Sequence, residues 1–256
     1  MNATIEVILN RKSVRAYEDK PIPVEVRDMI LHAAMRAPTA GNMMLYSIIE
    51  VRDQAAKNRL VETCDHQPFI AEAPLVLLFL ADYQRWYDYF LTSGVDQICE
   101  REGVPMLRPE EGDLFLACCD VLIAAQTAVI AAESLGLGSC YIGDILENYE
   151  IHKHMFDLPR YVLPICLLCF GYPTQEQKDR ERTKRFDRQF IVFEDRYKRL
   201  GEDGFEEMMR DRGVAGASGV GGRPDFGVQM YERKFSADFA KEMRRSVRVM
   251  LSAWSQ

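Results

Sequence analysis

The chain has 256 residues, 48% of them hydrophobic and 28% charged, enough for one sizeable core or two small ones. A formal net charge of −7 at pH 7 argues against nucleic acid as the main partner, so any basic cluster reads locally, as a site for one small anion. The seven cysteines fit no disulfide framework and residues 1–6 lack a basic and apolar leader pattern, so the expectation is a cytoplasmic protein with reduced thiols.

Residues 4–9 read as a short helix entering a basic loop, Arg11-Lys12-Ser13-Val14-Arg15. Pro21 and Pro23 open a helix in which Val26, Met29, Ile30, Ala33 and Ala34 recur at helical spacing, and Pro38 ends it. A loop of small residues follows at 38–42. Strands are expected at 47–51 and 75–81, with a charged helix between them at 53–62. Residues 84–109, polar and aromatic, suit a helix and an excursion loop. The apolar stretch 114–135 is long enough for a bilayer, but Asp120, Gln126 and Glu133 interrupt it. A core or interface helix closed by Gly136 is the better reading, with no membrane role. Next come a tight turn at 136–138, a strand-like piece through Tyr141 and a helix at 147–154. Residues 162–170 form an apolar run suited to a buried central strand. A basic run at 178–188, a Gly-rich loop at 213–222 and an amphipathic helix at 237–254 complete the chain. Three strands set among helices without regular alternation indicate an α+β fold.

Four stretches carry candidate chemistry. Arg11, Lys12, Ser13 and Arg15 place three cations and a hydroxyl within five residues, which suits a phosphate. The alternative is an exposed basic turn. Pro38, Thr39, Ala40, Gly41 and Asn42 let backbone amides approach a ligand, and Asn42 adds a fixed donor and acceptor; the alternative is a helix-ending turn. The glycines of 136–144 have the wrong spacing for a dinucleotide fingerprint and follow a helix, so a Rossmann site is unsupported. That segment does offer backbone N–H groups around Ile142 and Gly143. Lys178, Arg180, Arg182 and Lys184 would share one edge of an extended segment, unless the run is simply a solvated coil. Cys166 and Cys169 have metal-like spacing, but on a strand they point to opposite faces. Cys118-Cys119 reads as packing, and His152 and His154 diverge on a helix. No metal is expected.

In their order along the chain these pieces resemble the nitroreductase family of flavoproteins. The resemblance rests on Arg11-x-Ser13-x-Arg15, then Ala37-Pro38-Thr39-Ala40-Gly41-Asn42, then Gln67-Pro68-Phe69 ahead of Ala73-Pro74. Gly136-Leu137-Gly138-Ser139-Cys140-Tyr141-Ile142-Gly143-Asp144 and Phe170-Gly171-Tyr172-Pro173, followed by Lys178-x-Arg180-x-Arg182, complete it over roughly residues 5–190. It implies an α+β fold with a central mixed or antiparallel sheet flanked by helices, and a homodimer binding FMN in two interface clefts. Arg11 and Ser13, with Lys12 beside them, would hold the FMN phosphate from one end, and Arg180 and Arg182 from the other. Arg15 would face the N1–O2 edge as an electrostatic stabiliser. Pro38, Thr39, Ala40 and Asn42 would line the cofactor, from the same or the partner subunit, with Gln67 and Tyr141 near the ring. The backbone of Ile142 and Gly143 would lie against N5 and O4. The implied activity is ping-pong: NAD(P)H is the transient reductant, and a small nitroaromatic, quinone or activated double bond is the acceptor. A flavin-consuming or dehalogenating enzyme of the same fold, or a non-catalytic flavin-binding protein, is the alternative. Residues 1–195 are expected to form the FMN-binding domain, and 196–256 an extension serving as lid or dimer embrace. Met43-Met44-Leu45-Tyr46 departs from the Gln-Pro-Trp-like run common at this point in relatives.

Overall fold

A computed structural model of the chain describes residues 2–211 and 226–255; the Gly-rich loop at 213–222 lies outside them. Two units are distinguishable, Met1–Arg180 with Glu242–Gln256, and Glu181–Lys241.

The first unit is built on a four-stranded antiparallel sheet, β1 (Tyr46–Glu50), β2 (Leu75–Asp82), β3 (Gly138–Ile142) and β4 (Val162–Gly171), in the order β1-β2-β4-β3. The fold is α+β as expected, with one strand more than the three expected: the piece ending near Tyr141 pairs over five residues with β4. Every residue of β2 is buried. Its alternation divides the core. Leu75, Leu77, Phe79 and Ala81 face one cluster; Val76, Leu78 and Leu80 face the other. In β4 the alternation changes phase at Ile165, the extra residue where the register jumps between Phe79–Cys166 and Leu80–Pro164. Beyond this bulge Cys166 lies in the first cluster and Cys169 in the second, on opposite faces as their spacing implies.

The helices are α1 (Ala3–Asn10), α2 (Val24–Met35), α3 (Gln54–Thr63), α4 (Phe69–Glu72), α5 (Gln84–Thr92), α6 (Val95–Glu102) and α7 (Glu111–Ser134). They continue with α8 (Tyr149–Met155), α9 (Gln175–Asp179), α10 (Glu202–Asp211), α11 (Phe226–Met230) and α12 (Asp238–Ser255). Side chains cap where the sequence offers them: Asn2 accepts from Ile5 N at 3.0 Å, and Asp53 from Ala56 N at 3.0 Å. α7 starts at Glu111, ahead of the apolar run, because Glu110 and Asp113 form a reciprocal capping box. The expected helix at 147–154 begins at Tyr149, after Asn148 in a left-handed conformation (φ 50°).

α7 is the spine of this unit. Leu114, Ala117, Val121, Ala124, Ala125, Ala128, Val129 and Ala132 recur at helical spacing and are buried against the sheet and α2. The alanines let it lie close to the strands. Its other face leaves Phe115, Leu116, Leu122 and Ile123 exposed. From Glu242 onward α12 belongs to this unit, where Trp254 is fully buried and its Nε1 donates to Glu110 O at 3.0 Å. All seven cysteines are free thiols.

The second unit holds short elements: a 3₁₀ turn at Arg188–Phe190, α10, α11 and a π turn at Tyr231–Phe235. Gln189 Nε2 donates to Glu207 at 3.2 Å, and the Phe193 and Tyr197 rings meet edge to face at 5.3 Å.

Candidate functional site

The basic loop is an added rung on the sheet. Ser13 bridges Ser139 in parallel, and Val14 N donates to Ser139 O at 2.9 Å. Further on Tyr17 bridges Pro173, and Glu18 N donates to Tyr172 O at 2.8 Å. Two glycines permit this approach. A Cβ on Gly138 would stand 2.4 Å from Val14 Cγ2, and one on Gly171 2.5 Å from the Tyr17 ring.

Lys12 is committed to backbone, donating to Lys178 O at 2.6 Å and to Arg180 O. Arg180 donates in return to Ser13 O, and Arg15 N donates to the buried Gln177 side chain at 3.2 Å. Lys178 lies in α9, not in an extended segment, and pairs with Glu18 at 2.7 Å. The expected cationic edge from Lys178 to Lys184 is therefore broken at its first member, because helical residues do not alternate as strand residues do. Arg182 and Lys184 belong to the second unit.

Among the described residues none of Arg11, Arg15 and Arg180 is in an ion pair. Their charge reaches buried groups nearby. Burial raises the Cys140 thiol, and Arg15 and Arg11 beside it act in the opposite direction. Burial likewise raises Glu133, opposed by the Ser139 hydroxyl at 3.1 Å and by Arg11. The Arg15 guanidinium lies 5.9 Å from the Phe69 ring centroid. Among the described residues these three guanidinium groups, in no ion pair and gathered around one rung in a chain of net charge −7, are a donor set that suits an anion.

Gln67 stands next to this rung, two residues before Phe69. Its Nε2 donates to Asp144 Oδ2 at 2.7 Å and to Cys64 O at 3.0 Å, which leaves its carbonyl oxygen as the open group. Asp144 follows Ile142 and Gly143 at the end of β3. Gly143 is exposed, has no positive φ, and a Cβ there would meet nothing within 4 Å, so neither packing nor backbone conformation demands glycine. Tyr141 OH donates to Gln126 at 3.3 Å, and burial raises its phenol. Behind Asp144, burial together with Asp144 and Asp65 pushes the Glu147 carboxyl up to about 8. His152, set between Ile145 O at 3.0 Å and Thr63 Oγ1 at 2.8 Å, is brought down by burial to about 4 and is neutral at pH 7.

The loop after α2 is of another kind. Gly41 (φ 56°), Asn42 (φ 57°) and Met44 (φ 51°) all adopt left-handed backbone, which a bulky residue such as methionine does only where its surroundings hold it. The holding group is Asp120, a buried carboxylate on α7. It accepts from Ala40 N at 3.1 Å, from Leu45 N at 3.2 Å and from the Thr39 hydroxyl, which itself accepts from Met44 N at 2.8 Å. From α5, Trp86 Nε1 donates to Met43 O at 2.8 Å and Arg85 to Met44 O at 3.2 Å.

The sequence candidates thus fall into two groups. Arg11, Lys12, Ser13, Arg15, Gln67, Tyr141, Ile142, Gly143 and Arg180 gather along β3 and the basic rung. Pro38, Thr39, Ala40 and Asn42 do not join them within one chain. The Ser139–Glu133 bond ties the first group to α7, and Asp120 ties the second group thirteen residues earlier, about 20 Å away by helical rise. Sequence reasoning passed over the supports, Asp120, Glu133, Asp144 and Gln177. A carboxylate inside an apolar helix was the available signal for the first two; nothing distinguished Gln177.

Known proteins similar to this chain bear on its family and fold. A family model for the nitroreductase family matches residues 8–172. The chain is 31% identical over 202 residues to the oxygen-insensitive NADPH nitroreductase of Salmonella typhimurium, covering 79% of this chain and 78% of that one. It is 31% identical over 191 residues to an NAD(P)H FMN reductase of Bacillus subtilis, covering 71% and 70%. The solved structure of Bacillus megaterium NfrA1 superposes with a TM-score of 0.75 at 29% identity, over 97% of this chain and 98% of that one.

Proposed function

The chain belongs to the nitroreductase family, and from that premise we propose that it is an NAD(P)H-dependent FMN oxidoreductase acting as a homodimer on small acceptors. The observation that carries this reading is the trio of guanidinium groups, Arg11, Arg15 and Arg180, unpaired among the described residues around the Ser13–Ser139 rung. They match what FMN presents: a phosphate dianion at one end and an electron-rich pyrimidine edge at the other.

In this reading Arg11, Ser13 and Arg180 bind the phosphate, with Lys12 holding Arg180's backbone in place. Arg15, backed by Phe69, faces the pyrimidine edge and stabilises negative charge arriving there. The Gln67 carbonyl oxygen, fixed by Asp144 and Cys64, meets the ring as an acceptor. Ile142 is buried and paired to β4, so the exposed Gly143 is the residue whose backbone N–H serves the ring, and the open space over Gly143 admits it. Bound FMN supplies the hydride-accepting and hydride-donating centre; the protein supplies position, charge and access. Donor and acceptor occupy the same cleft in turn, a ping-pong scheme, and nitroaromatics, quinones and activated double bonds are acceptors that fit such a cleft.

Support for a homodimer comes from the separation of the two groups. The 38–42 loop is about 20 Å along α7 from the basic rung of its own chain. The exposed apolar face of α7, Phe115, Leu116, Leu122 and Ile123, is continuous enough to pack on a second copy. In that assembly Ala40 and Asn42 of one chain complete the cleft of the other, on a loop that the Thr39 hydroxyl helps to hold.

The test is ligand selectivity. The wild-type chain should bind FMN at least about a hundredfold more tightly than riboflavin, as expected of two charge-assisted phosphate contacts. Equal affinity for the two would remove the phosphate assignment.

A further inference from the structure

We propose that Asp120 is a positioning residue for the cofactor: from inside α7 it holds the Thr39–Leu45 loop in its left-handed form, and that form presents Asn42 and the 40–41 backbone to FMN. The inference rests on the FMN reading above.

Three features of the loop lead to it. First, the loop is strained where it matters. Asn42 and Met44 both have φ near 55°, with Gly41 between Ala40 and Asn42 in the same region, so three of four consecutive residues avoid ordinary backbone conformations. Second, the hydroxyl expected to line the cofactor is already used. Thr39 Oγ1 donates to Asp120 and accepts from Met44 N, so its side chain serves the loop rather than a ligand. Third, the two Asp120 oxygens reach both ends of the loop, Oδ1 to Ala40 N at 3.1 Å and Oδ2 to Leu45 N at 3.2 Å. One carboxylate closes the loop on itself. Its carbon stem sits on the inner face of α7 among Ala117, Val121 and Ala124, buried, so water does not replace these bonds if they are lost. On the outer side Trp86 and Arg85 hold the carbonyls of Met43 and Met44, so the loop is pinned from two elements at once.

Holding by a carboxylate is specific. It supplies acceptors only, and all three of its partners are donors; an amide at position 120 would offer one acceptor oxygen and turn an NH₂ toward a donor. Asp120→Asn is thus nearly isosteric yet mismatched at one oxygen.

The experiment measures FMN and riboflavin affinity by flavin fluorescence quenching in the full-length chain. Alongside it, hydrogen exchange of the 38–46 peptide is followed in protein stripped of flavin. Asp120→Asn is expected to weaken FMN and riboflavin equally, by about tenfold, and to speed exchange of the 38–46 peptide with no flavin present. The parity is the signature, because a phosphate-site defect would fall on FMN alone. Thr39→Val, which removes one link of the clamp, should show the same parity with a smaller loss, and gives the answer if Asp120→Asn folds poorly. Adding Met44→Gly to Asp120→Asn should restore part of the affinity, since glycine adopts φ 51° without strain. Unchanged flavin affinity in folded Asp120→Asn and Thr39→Val, or a loss confined to FMN, would overturn the inference while leaving the function reading intact. A wild-type chain that takes up no flavin would remove both.

Discussion

The two halves of the candidate site hang on one helix, yet they are built on opposite plans. At Glu133 the chain beside α7 is regular: extended, paired to β3, and bearing guanidinium groups that are in no ion pair among the described residues. At Asp120 the chain is irregular and its polar groups are satisfied internally, by one buried carboxylate, one hydroxyl and two side chains of α5. The first half keeps binding capacity in reserve on an ordinary backbone. The second spends its hydrogen bonds on an unusual backbone and offers shape. Changes to the first should alter what is bound; changes to the second should alter how well anything fits.

The largest expected effect joins the halves rather than touching either. Leu122→Glu with Ile123→Glu places two charges on the exposed apolar face of α7. Light scattering should report a monomer, and stoichiometric FMN should be lost with it. A folded monomer that keeps FMN would contradict the two-chain cleft. Next comes the anion end: Arg11→Ala with Arg180→Ala should weaken FMN by about a hundredfold or more and riboflavin by little, read by fluorescence titration. Retained stoichiometric FMN would sink the site assignment. Gly138→Ala sharpens the same half by geometry alone. Its Cβ would meet Val14 at 2.4 Å, so the rung must shift; about 1–3 kcal/mol of stability should go, with a melting point several degrees lower. A variant that melts like the wild type would mean the rung is not tightly docked.

The smallest effect is in pH dependence. Glu147 has a folded value of about 8 against an ordinary 4.5, so between those values the folded chain keeps a proton that the unfolded chain has released. Stability therefore falls as pH rises through that window and levels off above it. His152 acts oppositely: with a folded value of about 4 against 6.5, it adds stability as pH rises to 6.5 and nothing further above it. Above 6.5 His152 adds nothing, so the Glu147 contribution is read between 6.5 and 8 against the Glu147→Gln variant. Thermal melts should show the wild type losing stability across that range and Glu147→Gln losing less; parallel curves would rule out a protonated Glu147.

Much of this was legible in the sequence, for physical reasons that differ along the chain. β2 and the start of β4 announce themselves as unbroken apolar runs because both faces are buried. The basic cluster was legible because charge density at 11–15 is a local property. β3 was seen only in part, since its pairing with β4 is set by tertiary packing of Gly138 and Gly171 on Val14 and Tyr17. Lys178 was misplaced because Thr174, whose hydroxyl caps Gln177 N, starts a short helix where alternation suggested an extended edge. Asp120 was noted only as an interruption: its three partners lie 75 to 81 residues away, beyond any local pattern.

That the chain is an FMN oxidoreductase is read most plainly in the visible spectrum of the purified protein, recorded before and after anaerobic addition of NADH or NADPH. Assignment as an FMN oxidoreductase requires yellow protein whose flavin bands bleach on addition of one of the two and return with an added quinone. Colourless protein that also fails to take up added FMN would contradict it.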